Sequence, residues 1–154
     1  MALVSARHDV QVEVSLGEDP VTLEWEIAMA ARRVARDLFL CAVAALEEEA
    51  ISQSGGARQR REPRWVATVF GRVRLHRYRV RRGDATFHPA DEILRLRRGE
   101  ASMAVREIAV ELTRKLSYRD TAYVLSLFTG DRFTYQHVGR LLAEAAHPPT
   151  GHDA

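Results

Sequence analysis

Cysteine is nearly missing from the 154 residues, and Cys41 stands alone. No disulfide can close within the chain, and no zinc site can be built from cysteines. Lysine is equally scarce: of 23 basic residues, 22 are arginine and only Lys115 is lysine. Long apolar runs are absent too. The longest, Leu38–Leu46, has nine residues, whereas a bilayer span needs about 20. The first residues, Met1 to Arg7, lack the basic stretch and apolar run of a secretory signal. Gly55-Gly56 is followed by neither a lysine nor a helix start, so no glycine-rich phosphate loop is present. These absences predict a cytoplasmic protein with no membrane span, no metal and no cofactor.

What is present suffices for a core: 46% of residues are hydrophobic and 29% charged. The length fits one compact domain or two small modules. The net charge of +2 hides an asymmetry, with balances of −6 over residues 1–56, +9 over 57–98 and −1 over 99–154. A basic block between mildly acidic flanks is the footprint of a polyanion binder. Arginine's planar fork also suits phosphates and guanine edges better than an ammonium does.

The pattern predicts an α+β chain: a long N-terminal helix, a small arginine-rich antiparallel β unit and a C-terminal three-helix, helix-turn-helix-like module. The expected divisions are 1–56, 57–98, 99–147 and a flexible tail, 148–154. Val10–Leu16 alternates like a short strand. Nothing breaks a helix from Val21 to about Ile51, and Ile27, Ala31, Val34, Leu38, Cys41 and Ala45 recur at three- and four-residue steps. That face either packs in the core or forms a seam with a second copy through the helix 21–51. Cys41 reads as a small core residue. Ser52–Gly56 has linker composition, prolonged with charge from Arg58 to Pro63. A hairpin turning at Gly71 follows, then a second turn at Arg81–Asp84 and a third strand at Ala85–His88, stopped by Pro89. Asp91 is placed to cap a short turn through Leu94 and Leu96.

Ser102 can cap a helix through Leu116, and Ser117 the next, with Ala122, Leu125 and Phe128 inward and Gly130 as its stop. Thr134 can cap a final helix to about His147, carrying Val138, Leu141, Leu142 and Ala145 on its apolar side. The outer face of that helix presents Tyr135, Gln136, His137 and Arg140, as a recognition helix presents its readers to the major groove. Gln136 can pair with adenine and Arg140 with guanine. The bland alternative is an ordinary three-helix core. Arg72, Arg74, Arg77, Arg79, Arg81 and Arg82 crowd into eleven residues. They read as phosphate contacts, or as charges protecting an edge strand.

Other chemistry finds little footing. Asp91 and Glu92 are neighbours, and adjacent acids usually diverge. His76 and His88 can approach across a hairpin and, with Asp91, hold a metal, but lone histidines in a basic strand are more often solvated or facing phosphate. Ser117 and Ser126 lack a nucleophile's glycine-flanked elbow.

Four segments together resemble a known family. They are Arg64–Val73 with Arg77-Tyr78; Pro89–Leu94; Glu111-Leu112 with Leu116–Ala122; and Thr134–Val138. In this order they are similar to the N-terminal half of certain bacterial and archaeal insertion-sequence transposases, of the ISKra-like and ISLre-like groups, over about residues 20–147. The resemblance implies a DNA-binding region that leads into a ribonuclease-H-like domain, where three carboxylates hold two metals. The chain stops at Ala154, before any such carboxylates, and cysteine pairs that some relatives carry before the hairpin are missing. The expectation is a binder of duplex DNA at insertion-sequence ends, truncated before the catalytic domain and not itself an enzyme. The rival expectation is a dimeric interaction module for an acidic protein partner.

Overall fold

A computed structural model of the chain describes residues 20–96 and 101–146. The predicted strand Val10–Leu16 and the tail 148–154 lie outside them. The fold is α+β, in the order α1 (Pro20–Ser54), β1 (Ala57–Thr68), β2 (Gly71–Arg82), β3 (Ala85–Phe87), α2 (Pro89–Ile93), α3 (Met103–Thr113), α4 (Tyr118–Thr129) and α5 (Tyr135–Ala146). The strands form one antiparallel sheet, ordered β1-β2-β3. Among the described residues no helix is long and apolar enough to cross a membrane. The described residues divide into two compact units, 20–62 with 76–90, and 63–75 with 91–96 and 101–146. The open end of the β1–β2 hairpin thus belongs to the first unit and its turn to the second.

In the first unit, α1 starts at Pro20, whose missing N–H costs nothing at a helix start. It closes at Gly55, in the left-handed region at φ 63°. Its 35 residues span about 50 Å. The helix continues into the segment expected to be a linker. The Ser52 and Ser54 hydroxyls donate to the carbonyls of Glu48 and Ile51, each at 2.9 Å, so these polar side chains serve the helix end. Arg58–Pro63 is strand, not linker. Arg58 pairs with Glu48 of α1, and Pro63 is tolerated because β1 is an edge strand.

The expected apolar face of α1 is not the buried one. Ile27 and Leu38 are 51% and 38% exposed, and Ala31, Cys41 and Ala45 are exposed as well. Cys41 therefore lies at the surface rather than in a core. The buried residues are Val43, Glu47 and Ile51, on the other side of the helix. Spacing reveals a stripe but not which side of a two-faced helix meets its own sheet. The close approach is visible at Gly56, where a Cβ would lie 2.4 Å from Val80 Cγ1.

Glu47 joins this helix to the sheet. Its carboxylate accepts the N–H of Tyr78 at 2.9 Å and that of Ala90. Burial pushes the Glu47 carboxyl above the usual carboxylate value, against the two backbone donors and Arg61, which pull it down.

The second unit is a three-helix core closed by the hairpin turn. Ala67 of β1, Ala101 just before α3, Val105 and Ala109 of α3, Ala122 and Leu125 of α4, and Val138 and Leu141 of α5 form one buried cluster. A parallel bridge joins Ala67 to Ala101, and the Ser102 N–H donates to the Ala67 carbonyl at 2.8 Å. The hairpin turns at Val69-Phe70, two residues earlier than expected, and Gly71 (φ 105°) opens β2. The Thr68 hydroxyl sets this turn, accepting the Phe70 N–H at 3.1 Å and donating to the Gly71 carbonyl at 2.7 Å.

Asp91 does not cap α2. Pro89 occupies the first position of that helix, and the Asp91 carboxylate instead takes Arg64 at 2.8 Å. Ser102 and Ser117 cap α3 and α4 as expected, and Gly130 ends α4 at φ 71°. α3 stops at Thr113, and Leu116 lies beyond it, 37% exposed. Phe128, expected inside, is 53% exposed, because α4 buries Thr121, Ala122, Leu125 and Thr129. Ala145 also faces outward.

Glu47 binds a proton more readily in the folded chain than in the unfolded one. Between the unfolded and folded pKa the native state holds more protons, so stability falls as pH rises across that interval. Thermal unfolding across the acidic range should show that fall in the native chain and its loss in Glu47→Gln. Glu47→Ala, which strands two buried donors, should cost about 2–3 kcal/mol at neutral pH.

Candidate nucleic-acid interface

The C-terminal helix α5 owes its placement to hydroxyl groups. Thr129 Oγ1 donates to the Leu125 carbonyl at 2.8 Å and accepts the Asp131 N–H at 3.1 Å. Ser126 Oγ donates to the Ala122 carbonyl at 2.7 Å and accepts the Phe133 N–H at 2.9 Å. Two side chains of α4 thus hold the 130–134 turn, which carries Arg132 and Phe133 to one side of α5. At the helix start, Thr134 and His137 cap each other. The His137 N–H donates to Thr134 Oγ1 at 3.3 Å, and the Thr134 N–H donates to His137 Nδ1 at 3.1 Å. This is a capping box with histidine in the place usual for glutamate or glutamine. Because Nδ1 accepts, the neutral ring carries its proton on Nε2. The Phe133 ring meets the His137 ring edge-on, centroids 6.3 Å apart.

Arg132, His137 and Arg140 line a cleft of about 410 Å³, and Arg72 from the start of β2 lines it as well. Two sequence stretches sixty residues apart (Arg72 to Arg132) therefore bring arginines to one cleft within the second unit. Asp131 and Glu144 also reach the wall. Among the described residues neither Arg132 nor Arg140 has a carboxylate within ion-pair distance. A second hollow, between α2 and α3, carries Asp91, Glu92, Glu107 and Glu111, the wrong sign for a polyanion.

The remaining expected residues spread around these points. Tyr135 and Gln136 are exposed on the first turn of α5, with Thr134 half-buried beneath them. Arg74 is exposed, and its guanidinium lies 5.9 Å from the centre of the Trp65 ring. Arg77, Arg79, Arg81 and Arg82 belong to the first unit. Arg77 is half-buried. Arg79 lies 3.8 Å from the Glu62 carboxylate. Arg81 lies 3.8 Å from Asp84 and donates to the Gly83 carbonyl at 2.9 Å. Arg82 sits over the Phe87 ring. Among the six hairpin arginines, Arg72 lines the cleft with Arg140, whereas Arg79 and Arg81 lie near the local carboxylates of Glu62 and Asp84.

His88 is paired rather than poised for a metal. Its Nε2 is 3.1 Å from Glu62. Hydrogen bonds from Arg60, then His88, hold the Glu62 carboxyl below the usual value. Among the described residues no three His, Cys, Asp or Glu side chains gather as a metal site requires. Arg132 is the cleft residue that sequence reasoning missed, since it reads only as part of a turn. A cation two residues before a helix cap was the available signal.

Compared with family models and with curated proteins, the chain matches none. Replacing His137 should expose its capping role. His137→Ala should lower stability by about 1 kcal/mol, and His137→Gln, which can restore the reciprocal bond, should recover most of that loss in thermal unfolding.

Proposed function

We propose that this chain is a DNA-binding module, the recognition portion of a transposase-like protein acting on insertion-sequence ends in the cytoplasm. The convergence of Arg72, Arg132 and Arg140 beside the start of α5 carries the reading. Phosphate is the ligand that several guanidinium groups at one opening suit best. The capped start of α5 adds the positive end of a helix dipole. Exposed Gln136 then stands where a recognition helix meets base edges, while Thr134 and Tyr135 lie near the backbone. The four-segment resemblance to insertion-sequence transposases supports the same reading. No strand-cleaving role is assigned to the described residues.

A second reading concerns assembly. The apolar stripe of α1, Ile27, Ala31, Val34, Leu38, Cys41 and Ala45, exposed except for half-buried Val34, keeps the alternating four- and three-residue spacing of a coiled-coil seam. A second copy fits that repeat and would pair two DNA-binding units, as twofold binders of paired half-sites require. The rival in which this helix dimerises and the basic hairpin binds an acidic protein predicts the same assembly without DNA affinity.

Arg132→Ala with Arg140→Ala should weaken binding to all duplex sequences and lower the slope of log affinity against log salt by about 2. An unchanged slope in shift or anisotropy titrations overturns the assignment. For assembly, mild oxidation should join two chains through Cys41, and Leu38→Glu should abolish both the crosslink and the dimer seen by light scattering.

A further inference from the structure

Trp65 is 47% exposed, an uncommon place for the side chain with the most apolar surface to hide. It lies on β1, within the second unit. Two guanidinium groups from β2 attend its ring: Arg72 at 5.3 Å and Arg74 at 5.9 Å from the ring centre. Cation–π attraction holds the arginines there, yet about half of the residue still meets solvent. Among the described residues Arg74 has no carboxylate within ion-pair distance. Arg72 serves two places, since it also lines the cleft with Arg132 and Arg140.

From this arrangement we propose that the Trp65 face binds an unpaired base, so that the module engages single-stranded nucleic acid leading into the basic cleft. This rests on the nucleic-acid reading above and adds a substrate class to it. Every base has an aromatic face that can stack on an indole, and arginines beside that indole neutralise the adjoining phosphates. A continuous duplex keeps its base faces inside the stack and offers none to Trp65. The platform therefore has use only where a strand is open, at an end, a flap or a melted junction. Arg72 supplies continuity, because a strand stacked on Trp65 places its next phosphates toward the cleft.

The test uses Trp25→Phe, which leaves Trp65 as the only tryptophan. A short oligothymidylate and a random-sequence duplex of similar length are titrated at one salt concentration. The oligothymidylate should quench Trp65 emission, and the duplex should leave it nearly unchanged. Trp65→Ala should weaken oligothymidylate binding by about 10- to 100-fold and duplex binding by less than about twofold. Trp65→Phe, which keeps a ring in the same strand, should recover most of the loss and guards against a folding artefact. Arg132→Ala with Arg140→Ala should weaken both ligands. If the duplex binds but oligothymidylate neither quenches Trp65 nor loses affinity in Trp65→Ala, the platform is wrong and the duplex reading stands. If Trp65→Ala weakens both ligands equally, the single-strand assignment fails. If neither ligand binds, the nucleic-acid reading falls and the platform falls with it.

Discussion

The second unit depends on hydroxyl-to-backbone bonds and apolar packing that bring arginines from distant parts of the chain to one cleft. Arg132 is fixed by a turn whose amides are taken by Ser126 and Thr129 hydroxyls from the neighbouring helix. Arg140 is fixed because α5 packs Val138 and Leu141 into the shared core. Arg72 is fixed by a hairpin turn that Thr68 bonds at both ends. Two of these holds are hydroxyl bonds to backbone, and the third is apolar packing. Among the described residues Arg132 and Arg140 thereby keep their charge without a carboxylate at ion-pair distance, which suits an anionic partner.

The first unit solves a different problem. A helix of 35 residues must attach to a small sheet using little of its own length. It does so through one side of its C-terminal part: Val43 and Ile51 supply apolar burial, and Glu47 accepts backbone donors from β2 and from the start of α2. A buried carboxylate carries a desolvation penalty that two N–H groups and a nearby guanidinium only partly offset. On the opposite side of the helix Ile27, Ala31, Leu38 and Ala45 are exposed. Exposed apolar residues in a regular seam spacing make assembly through α1 worth measuring.

Aromatic–arginine pairs recur along the sheet. Tyr78 has Arg58 and Arg61 over it, Trp65 has Arg72 and Arg74, and Phe87 has Arg82. Tyr78 and Phe87 are half-buried, whereas Trp65 remains open. The same interaction recurs at two half-buried rings and at one exposed ring, Trp65.

Element types and ends were largely legible in the chain itself, because they follow from local physics. Ser102, Ser117 and Gly130 mark helix ends through bonds that span three or four residues, and Gly83 with Asp84 marks a turn joining paired strands, Arg82 opposite Ala85. Arg140 and Arg72 were candidates on charge and position alone. Which side of α1 is buried, that Cys41 is exposed and that Phe128 faces out were settled only by packing, since a helix with apolar residues on two faces has no local preference between them. The grouping of Arg72 with Arg132 and Arg140 in one cleft, and the approach of Arg79 to Glu62, likewise belong to tertiary structure. Charge is counted along a sequence, but it acts across space, and folding alone decides which charges become neighbours.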